Sequence, residues 1–136
     1  PLINSTSISG IPLSYFINSG LITQKKIDDI ILRTRNGGGE IVSLMKNSSA
    51  FFAPAASGIE IAESYLKNQK KVLPCSAYLD SEYNCEDIFL GVPVIVGKKG
   101  VEKILEIDFD EKEAQNFKKS INSVRELTRK CKKLLV

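Results

Sequence analysis

The sequence predicts an α+β domain in which long helices pack on a three-stranded antiparallel sheet and a long helix ends the chain. Three observations lead to this prediction. Apolar residues recur at three- and four-residue steps before residue 66, and the same period returns after residue 110. Between residues 71 and 109 they alternate or run continuously, as in strands. The connecting segments "SEYNCED" and "GKKG" are short enough for hairpins, which favours antiparallel pairing.

Length and composition exclude several classes of protein. The 136 residues suit one domain, and 43% hydrophobic with 26% charged residues is typical of globular proteins. No apolar run approaches the ~20 residues that cross a bilayer, and no signal peptide is recognisable, so we expect a cytoplasmic protein without a membrane partner. The net charge of +3 is spread along the chain, so we expect no nucleic-acid partner.

The residues alone point to no catalytic centre. The sequence contains no histidine, so an imidazole base, a histidine metal ligand or a Ser-His pair cannot be completed within it. No serine lies in a G-x-S-x-G motif, and we assign no metal ligand, because the carboxylates fall on predicted solvent faces or helix caps. The cysteines Cys75, Cys85 and Cys131 form no C-x-x-C pair, and we expect them to be reduced and mostly in the core.

The first long helix is predicted after a loop with a short helical or extended turn in residues 10–23. Thr23 is a plausible N-cap, and Gly37–Gly39 interrupt the helix without changing the phase of its apolar stripe. The glycines could form a phosphate-binding loop or thin one face of the helix for close packing. We favour the helix, because Glu40 would repel a phosphate and no strand precedes the glycines. The stripe consists of Ile27, Ile30, Ile31, Thr34, Ile41, Val42 and Met45.

The second helix is predicted to begin near Pro54, which the first turn of a helix tolerates. Its first two turns carry only small side chains, so a ligand or another backbone can approach them closely. A simple crossing of two helices explains the small residues equally well, and the residues alone leave both open. The predicted apolar face consists of Ile59, Ala62, Tyr65 and Leu66.

Three strands follow in "KKVLPCSAYL", "DIFLGVPVIV" and "VEKILEIDF". Leu73, Cys75, Ala77 and Leu79 share one side of the first strand, and the third alternates strictly from Val101 to Phe109. Pro74 and Pro93 are expected at an edge or a bulge, because proline cannot donate to a ladder.

The last helix begins with Asp110 and Glu113 at the spacing of a capping box. We expect it to run nearly to the C-terminus, where the basic run "RKCKK" is explained by a solvated helix end or by a phosphate-binding patch. One stripe of this helix contains Phe117, Ile121, Val124, Leu127, Cys131 and Leu134 or Leu135.

Long co-linear stretches resemble a known family. These are "SISGIPLSYFINSGLITQKKIDDIILRTRNGGGEIVSLMK", "SSAFFAPAASGIEIAESYLKNQKKVLPCSAYL" and "LGVPVIVGKKGVEKILEI". They are similar to the C-terminal half of the lactate-dehydrogenase-like malate dehydrogenases of the lactate/malate dehydrogenase superfamily, and the resemblance covers essentially the whole chain. It implies that residues 1–136 form the substrate domain and that an N-terminal Rossmann domain is absent from this sequence.

The resemblance also implies a reaction and a cofactor. In the family a hydride passes from C2 of the hydroxy acid to the nicotinamide of NAD, while a histidine takes the hydroxyl proton and an arginine holds the carboxylate. These groups belong to segments before the "PL" with which this sequence starts. We therefore expect the chain alone to be inactive, with NAD bound mainly by the missing domain.

The same resemblance places residues at the site and suggests partners. Ser49 and Ala50 are expected at the substrate-pocket wall, and Pro54 on the nicotinamide side. The expected substrate is a small 2-hydroxy or 2-oxo acid, with malate preferred to lactate, and the intact protein is expected to be a homodimer or homotetramer. The alternatives are a fragment of L-lactate dehydrogenase, a non-catalytic oligomerisation module, and a half-enzyme that pairs with a separate N-terminal half.

Overall fold

A computed structural model describes residues 1–134, so Leu135 of the predicted C-terminal stripe lies outside the described residues. The chain divides into two compact units, Pro1–Ala56 and the residues from Ser57 onward. Within residues 1–134 no helix is both long enough and apolar enough to cross a membrane.

The first unit begins with a hairpin that sequence reasoning missed. Strands β1 (Ser7–Ile8) and β2 (Ile11–Pro12) pair antiparallel, and Ser9 and Gly10 between them both have positive φ. Two such residues make the tight turn that suits a hairpin, so the Ser-Gly pair between two isoleucines was the available signal. Helix α1 (Leu13–Asn18) follows directly and confirms the helical alternative for this segment.

Helix α2 (Gln24–Met45) confirms the continuous helix through the three glycines. The Thr23 hydroxyl caps it by accepting from the backbone N–H of Lys26 at 3.2 Å. The close packing expected at the glycines is not provided by residues 1–134, because a Cβ built on any of the three meets nothing within 4 Å. Of the predicted stripe, Ile27 is buried, whereas Ile30, Ile41 and Val42 are exposed.

The second unit is built on the predicted antiparallel sheet, in the order β3–β4–β5. Its strands are β3 (Lys71–Leu79), β4 (Ile88–Gly97) and β5 (Gly100–Ile104), and a short 3-10 helix (Glu82–Asn84) lies in the β3–β4 connection. Strict alternation buries one face of β3 and β4. The core consists of Leu73, Ala77, Leu79, Cys85, Ile88, Leu90, Val92, Val94 and Val96.

The two strand prolines lie opposite each other in the β3–β4 register. Since neither has an N–H, the pair suits a position where the backbone groups of both residues point away from the partner strand. Pro74 is therefore on the sheet edge, as expected. Pro93 is on the central strand, just beyond the end of β5, and its carbonyl accepts from the N–H of Leu105 at 2.9 Å.

The third strand is shorter than predicted, because β5 ends at Ile104 rather than at Phe109. From the carbonyl of Leu105 onward the backbone forms hydrogen bonds with a side chain rather than with a neighbouring strand. The N–H of Ile107 donates to the Tyr83 hydroxyl at 3.3 Å, and that hydroxyl donates to the carbonyl of Leu105 at 2.6 Å. Tyr83 thus replaces a neighbouring strand as the backbone's partner.

Helix α4 (Glu111–Leu134) has the predicted capping box. The Asp110 carboxylate accepts from the N–H of Glu113 at 2.6 Å, and the Glu113 carboxylate accepts from the N–H of Asp110 at 3.4 Å. The first half of the predicted stripe packs on the sheet core through Phe117, Ile121 and Val124. The second half is exposed at Leu127, Cys131 and Leu134.

Helix α3 (Phe52–Leu66) confirms the second predicted helix, but its predicted apolar face is left exposed by residues 1–134. Ile59, Tyr65 and Leu66 are 67%, 47% and 78% exposed. The fully buried side chain is Ser64, whose hydroxyl donates to the carbonyl of Val96 at 2.7 Å and accepts from the N–H of Lys71 at 3.2 Å. A serine anchored to strand backbone therefore attaches this helix to the sheet.

The three cysteines are free thiols. Cys85 is buried in the core and Cys75 is half-buried, and burial raises the pKa of the Cys75 thiol. Cys131 is exposed, so the expectation that the cysteines lie mostly in the core holds for Cys85 and in part for Cys75. Cys131 lies beyond the part of α4 that packs on the sheet. In this part of the helix the predicted apolar stripe contacts no core residue among residues 1–134.

Candidate functional site

The candidate site is the segment between α2 and α3, and it begins with an unusual turn. Helix α2 ends at Met45, and Lys46 follows with φ 58° and ψ −64°. The N–H of Asn47 donates to the carbonyl of Met45 at 2.7 Å, which makes a three-residue turn centred on Lys46. A γ-turn with positive φ is rare and strained, and such a conformation costs about 1–3 kcal/mol.

A second tight turn places Ala50 at its apex. The carbonyl of Ser49 accepts from the N–H of Phe51 at 2.9 Å, and the Ser48 hydroxyl donates to the same carbonyl at 3.4 Å. Ser49 is exposed and Ala50 is half-buried. The two turns hold this short segment in one conformation although it has no regular secondary structure.

The start of α3 adds an apolar surface directly after these turns. The carbonyl of Phe51 accepts the first helical bond from the N–H of Ala55 at 3.0 Å. The rings of Phe51 and Phe52 lie 4.4 Å apart, and Phe52 is 70% exposed. Pro54 is the third residue of the helix and is also exposed. The structure therefore places Ser49, Ala50 and Pro54, the three predicted site residues, on one short stretch of backbone.

The side chains of this surface are apolar groups and hydroxyls. Between Ser48 and Ser57 the side chains are two aromatic rings, a proline, small apolar groups and serine hydroxyls, with no acid, base or thiol among them. A hydroxyl can donate to an oxygen of a small anion, and the apolar side chains can cover a flat ring. Among residues 1–134 there is no cluster of three His, Cys, Asp or Glu side chains able to hold a metal ion.

A charged pair lies on the helix that precedes the site. The Arg33 guanidinium donates to both carboxylate oxygens of Glu40, at 3.1 and 2.9 Å, across the three glycines. This contact lowers the pKa of the Glu40 carboxyl and raises that of Arg33. Glu40 is thus engaged with an arginine within the same helix, which agrees with the preference for a helix over a phosphate-binding loop.

Sequence reasoning missed the strained turn at Lys46. The usual signal for positive φ after a helix is glycine or asparagine, and Lys46 is neither. Asn47 stands one position later than the residue with positive φ, so the local pattern pointed to the wrong position. The Phe51–Phe52 pair was visible as two aromatics, but nothing in the pattern indicated that their rings would be in contact and exposed.

Comparison with known families and proteins yields consistent matches. The family model described as the lactate/malate dehydrogenase, alpha/beta C-terminal domain, matches residues 1–135. A malate dehydrogenase of Methylobacterium radiotolerans is 50% identical over 132 residues, which are 97% of this chain and 41% of that protein. The chain thus spans about two-fifths of the length of this curated relative.

Solved structures give the same result. The malate dehydrogenase of Cryptosporidium parvum is 46% identical with a TM-score of 0.93, over 98% of this chain and 42% of that one. The lactate dehydrogenase of the same organism, solved with lactic acid and nicotinamide adenine dinucleotide, is 45% identical with a TM-score of 0.90, over 95% and 41% of the two chains. The same fold therefore occurs in enzymes named for either substrate.

Proposed function

We propose that this chain, which belongs to the lactate/malate dehydrogenase family and matches its α/β C-terminal domain, forms the substrate side of an NAD-dependent malate dehydrogenase. The reaction is the interconversion of malate and oxaloacetate. The 50% identity to a malate dehydrogenase supports the choice of substrate. The observation that carries the proposal is the exposed surface of Ser49, Ala50 and Pro54, which has binding groups but no catalytic ones.

Within this proposal Ser49 and Ala50 form the wall of the substrate pocket. The methyl group of Ala50 leaves room for a four-carbon acid, and its half-buried position at the apex of a hydrogen-bonded turn keeps it from moving away. The exposed Ser49 hydroxyl is a donor for a carboxylate or carbonyl oxygen.

Pro54 is proposed to face the nicotinamide ring. The residues present fit such a ring, because Pro54 is exposed on a helix start that carries no charged side chain. When bound, NAD supplies the acceptor for the hydride from C2 of the substrate. The role of Pro54 is to cover one side of the ring and to exclude water from it.

The proton acceptor must come from outside these residues, because the sequence has no histidine and the site has no other base. The residues that bind the dinucleotide must also come from outside residues 1–136. We therefore propose that residues 1–136 are one substrate domain that is inactive alone. NAD, a small 2-hydroxy or 2-oxo acid and further copies of the same protein are its proposed partners.

A lactate dehydrogenase is the second candidate, favoured by the 45% identity to the Cryptosporidium parvum enzyme. Turnover by the full-length protein decides between the two. We expect kcat/KM for oxaloacetate with NADH to exceed that for pyruvate by at least a hundredfold. The reverse ratio would assign the chain to lactate. No turnover of either acid would favour the oligomerisation module.

The wall itself is tested by Ala50→Leu in the full-length protein. Three additional carbons at the apex of the turn should lower kcat/KM for oxaloacetate by 10- to 100-fold, mainly through KM, which corresponds to about 1.4–2.7 kcal/mol. The matched control is Ala62→Leu, at an exposed position nearly three turns into α3, which should change kcat/KM by less than twofold. An Ala50→Leu protein with normal KM would contradict the assignment.

A further inference from the structure

Lys46, the first residue after α2, has a backbone conformation that helix ends do not ordinarily use. Many helices end with a residue in the left-handed region, where φ and ψ are both positive. Lys46 combines φ 58° with ψ −64°, so it lies outside that region. These angles match a γ-turn with positive φ, which is rare and strained for a residue with a Cβ.

Backbone hydrogen bonds hold this conformation. The N–H of Lys46 donates to the carbonyl of Val42 at 3.0 Å and closes the last turn of α2. The N–H of Asn47 then donates to the carbonyl of Met45 at 2.7 Å, so the chain reverses at once. The side chain of Lys46 does not offset the strain, because it is exposed and its ammonium forms no ion pair among residues 1–134. The path of the backbone therefore maintains the strain.

This path leads to the candidate site. Residues 46–51 connect α2 to α3, and Lys46 is the first of them. Ala50 is at the apex of the second turn in this connection, in which the N–H of Phe51 donates to the carbonyl of Ser49 at 2.9 Å. A return of Lys46 to an ordinary φ of about −65° would rotate the following chain by roughly 120°. Ser49 and Ala50 could then not keep their positions relative to the end of α2.

We propose that Lys46 is a positioning residue for the substrate-pocket wall and that it acts through its backbone rather than its charge. Strain of this kind persists only where the surrounding structure requires the geometry, and it is concentrated at ligand-binding positions. The strained turn sets the places of Ser49 and Ala50, which the substrate meets. This inference rests on the proposed function, because it concerns the same wall.

The cost of positive φ differs among amino acids, and this makes the proposal testable at one position. Glycine adopts positive φ without steric cost, whereas β-branched isoleucine is disfavoured there more strongly than an unbranched side chain. Glutamine is unbranched like lysine but uncharged. Since glutamine, glycine and isoleucine all remove the charge of Lys46, differences among these three variants report on the backbone.

The three variants are compared in the full-length protein by reduction of oxaloacetate with NADH. We expect Lys46→Ile to raise KM about tenfold and to keep kcat within about twofold, because the wall moves while the reacting groups lie elsewhere. Lys46→Gln should keep KM within about twofold, and Lys46→Gly should keep or lower it. Deuterium uptake by residues 46–51, measured by mass spectrometry, should be about threefold faster or more in Lys46→Ile but unchanged in Lys46→Gln.

Lys70→Ile is the matched control. Lys70 also has positive φ, at 54°, and it is exposed but lies in the α3–β3 connection, outside the candidate site. The variant should lower the urea midpoint, as Lys46→Ile does, and should leave KM within about twofold of the unaltered protein. This comparison separates positioning of the wall from a general loss of stability.

Four results would overturn the proposal. A normal KM in Lys46→Ile would show that the turn does not position the wall, and unchanged deuterium uptake would show that Lys46 does not hold it. A KM raised equally in Lys46→Gln would assign the role to the ammonium. Failure of Lys46→Ile to fold would make the turn a requirement of the fold rather than of the site. The proposed function fails separately, if the unaltered protein reduces neither oxaloacetate nor pyruvate, and deuterium uptake then still decides whether Lys46 holds the turn at Ala50.

Discussion

Replacing the buried Ser64 by alanine tests how α3 is attached to the sheet. The Ser64 side chain has no exposed surface, and its hydroxyl serves two backbone groups of different strands. Alanine fits the same space, so no overpacking follows. What is lost is one acceptor for the N–H of Lys71 and one donor for the carbonyl of Val96. The hydroxyl bridges the N–H of Lys71 and the carbonyl of Val96, which are partners in the β3–β4 register, and it is itself fully buried.

The expected magnitude follows from these two bonds. A hydrogen bond contributes about 0.5–1.5 kcal/mol net, and a buried group left without its partner costs about 1–3 kcal/mol. The carbonyl of Val96 faces a fully buried hydroxyl, whereas the N–H of Lys71 is only partly buried. We therefore expect Ser64→Ala to lower the free energy of local unfolding by about 2 kcal/mol, which corresponds to an about 30-fold larger equilibrium constant for local opening.

Amide hydrogen exchange measures this effect where it arises. In the full-length protein, the amide of Lys71 should exchange about 30-fold faster in Ser64→Ala, while amides at the centre of β4 keep their protection. Ser57→Ala is the matched control, because Ser57 is on the same helix but exposed. Exchange at Lys71 within threefold of the unaltered protein would refute the anchoring role of the hydroxyl. Loss of protection throughout the sheet would refute its local character.

Two further predictions concern the C-terminal helix and the Tyr83 hydroxyl. Asp110→Ala removes the capping acceptor of α4 and should lower the free energy of unfolding by about 1 kcal/mol, measured by urea denaturation, whereas Asp110→Ser should largely retain it. Burial raises the pKa of Tyr83, and the Glu106 carboxylate adds to the rise, so the neutral phenol is the form that the fold stabilises. This stability is fully present below the unfolded pKa of about 10 and is lost as pH rises through the higher folded value. The decline in urea midpoint between pH 8 and pH 11 should therefore be smaller in Tyr83→Phe, and an unchanged decline would contradict this.

The parts of the fold that the sequence predicts well are those whose signal is local. The alternating apolar positions of β3 and β4 match the buried face, and the capping box of α4 needs only two residues three positions apart. Thr23 likewise caps α2 as predicted. In each case the residues that specify the structure are the same residues that make the contact.

The third strand and the α3 face were mispredicted because their contacts are distant in sequence. Residues 105–109 alternate like a strand, but their backbone bonds to Pro93 and Tyr83, which no local pattern reveals. On α3, Ser64 is polar, and the apolar pattern of the helix did not single it out. It is buried because its hydroxyl meets a carbonyl 32 residues later in the chain.

The candidate site was even less accessible to pattern reasoning. Ser49, Ala50 and Pro54 belong to no catalytic motif, and only the resemblance to a family singled them out. The structure adds that Ala50 lies at the apex of a hydrogen-bonded turn and that Ser49 and Pro54 are exposed. The strain at Lys46 is part of the same arrangement.

Apolar periodicity identifies a helix face but not what covers it, and α2 and α4 show the difference. Both stripes were predicted correctly as helical. Yet Ile30 and Val42 on α2 are 48% and 42% exposed, and Leu127 on α4 is 59% exposed. Phe117, with the same spacing on α4, packs on the sheet because β4 lies beside it. Contiguous exposed apolar surface of this kind marks contact sites. A stripe that residues 1–134 leave uncovered is therefore evidence about partners.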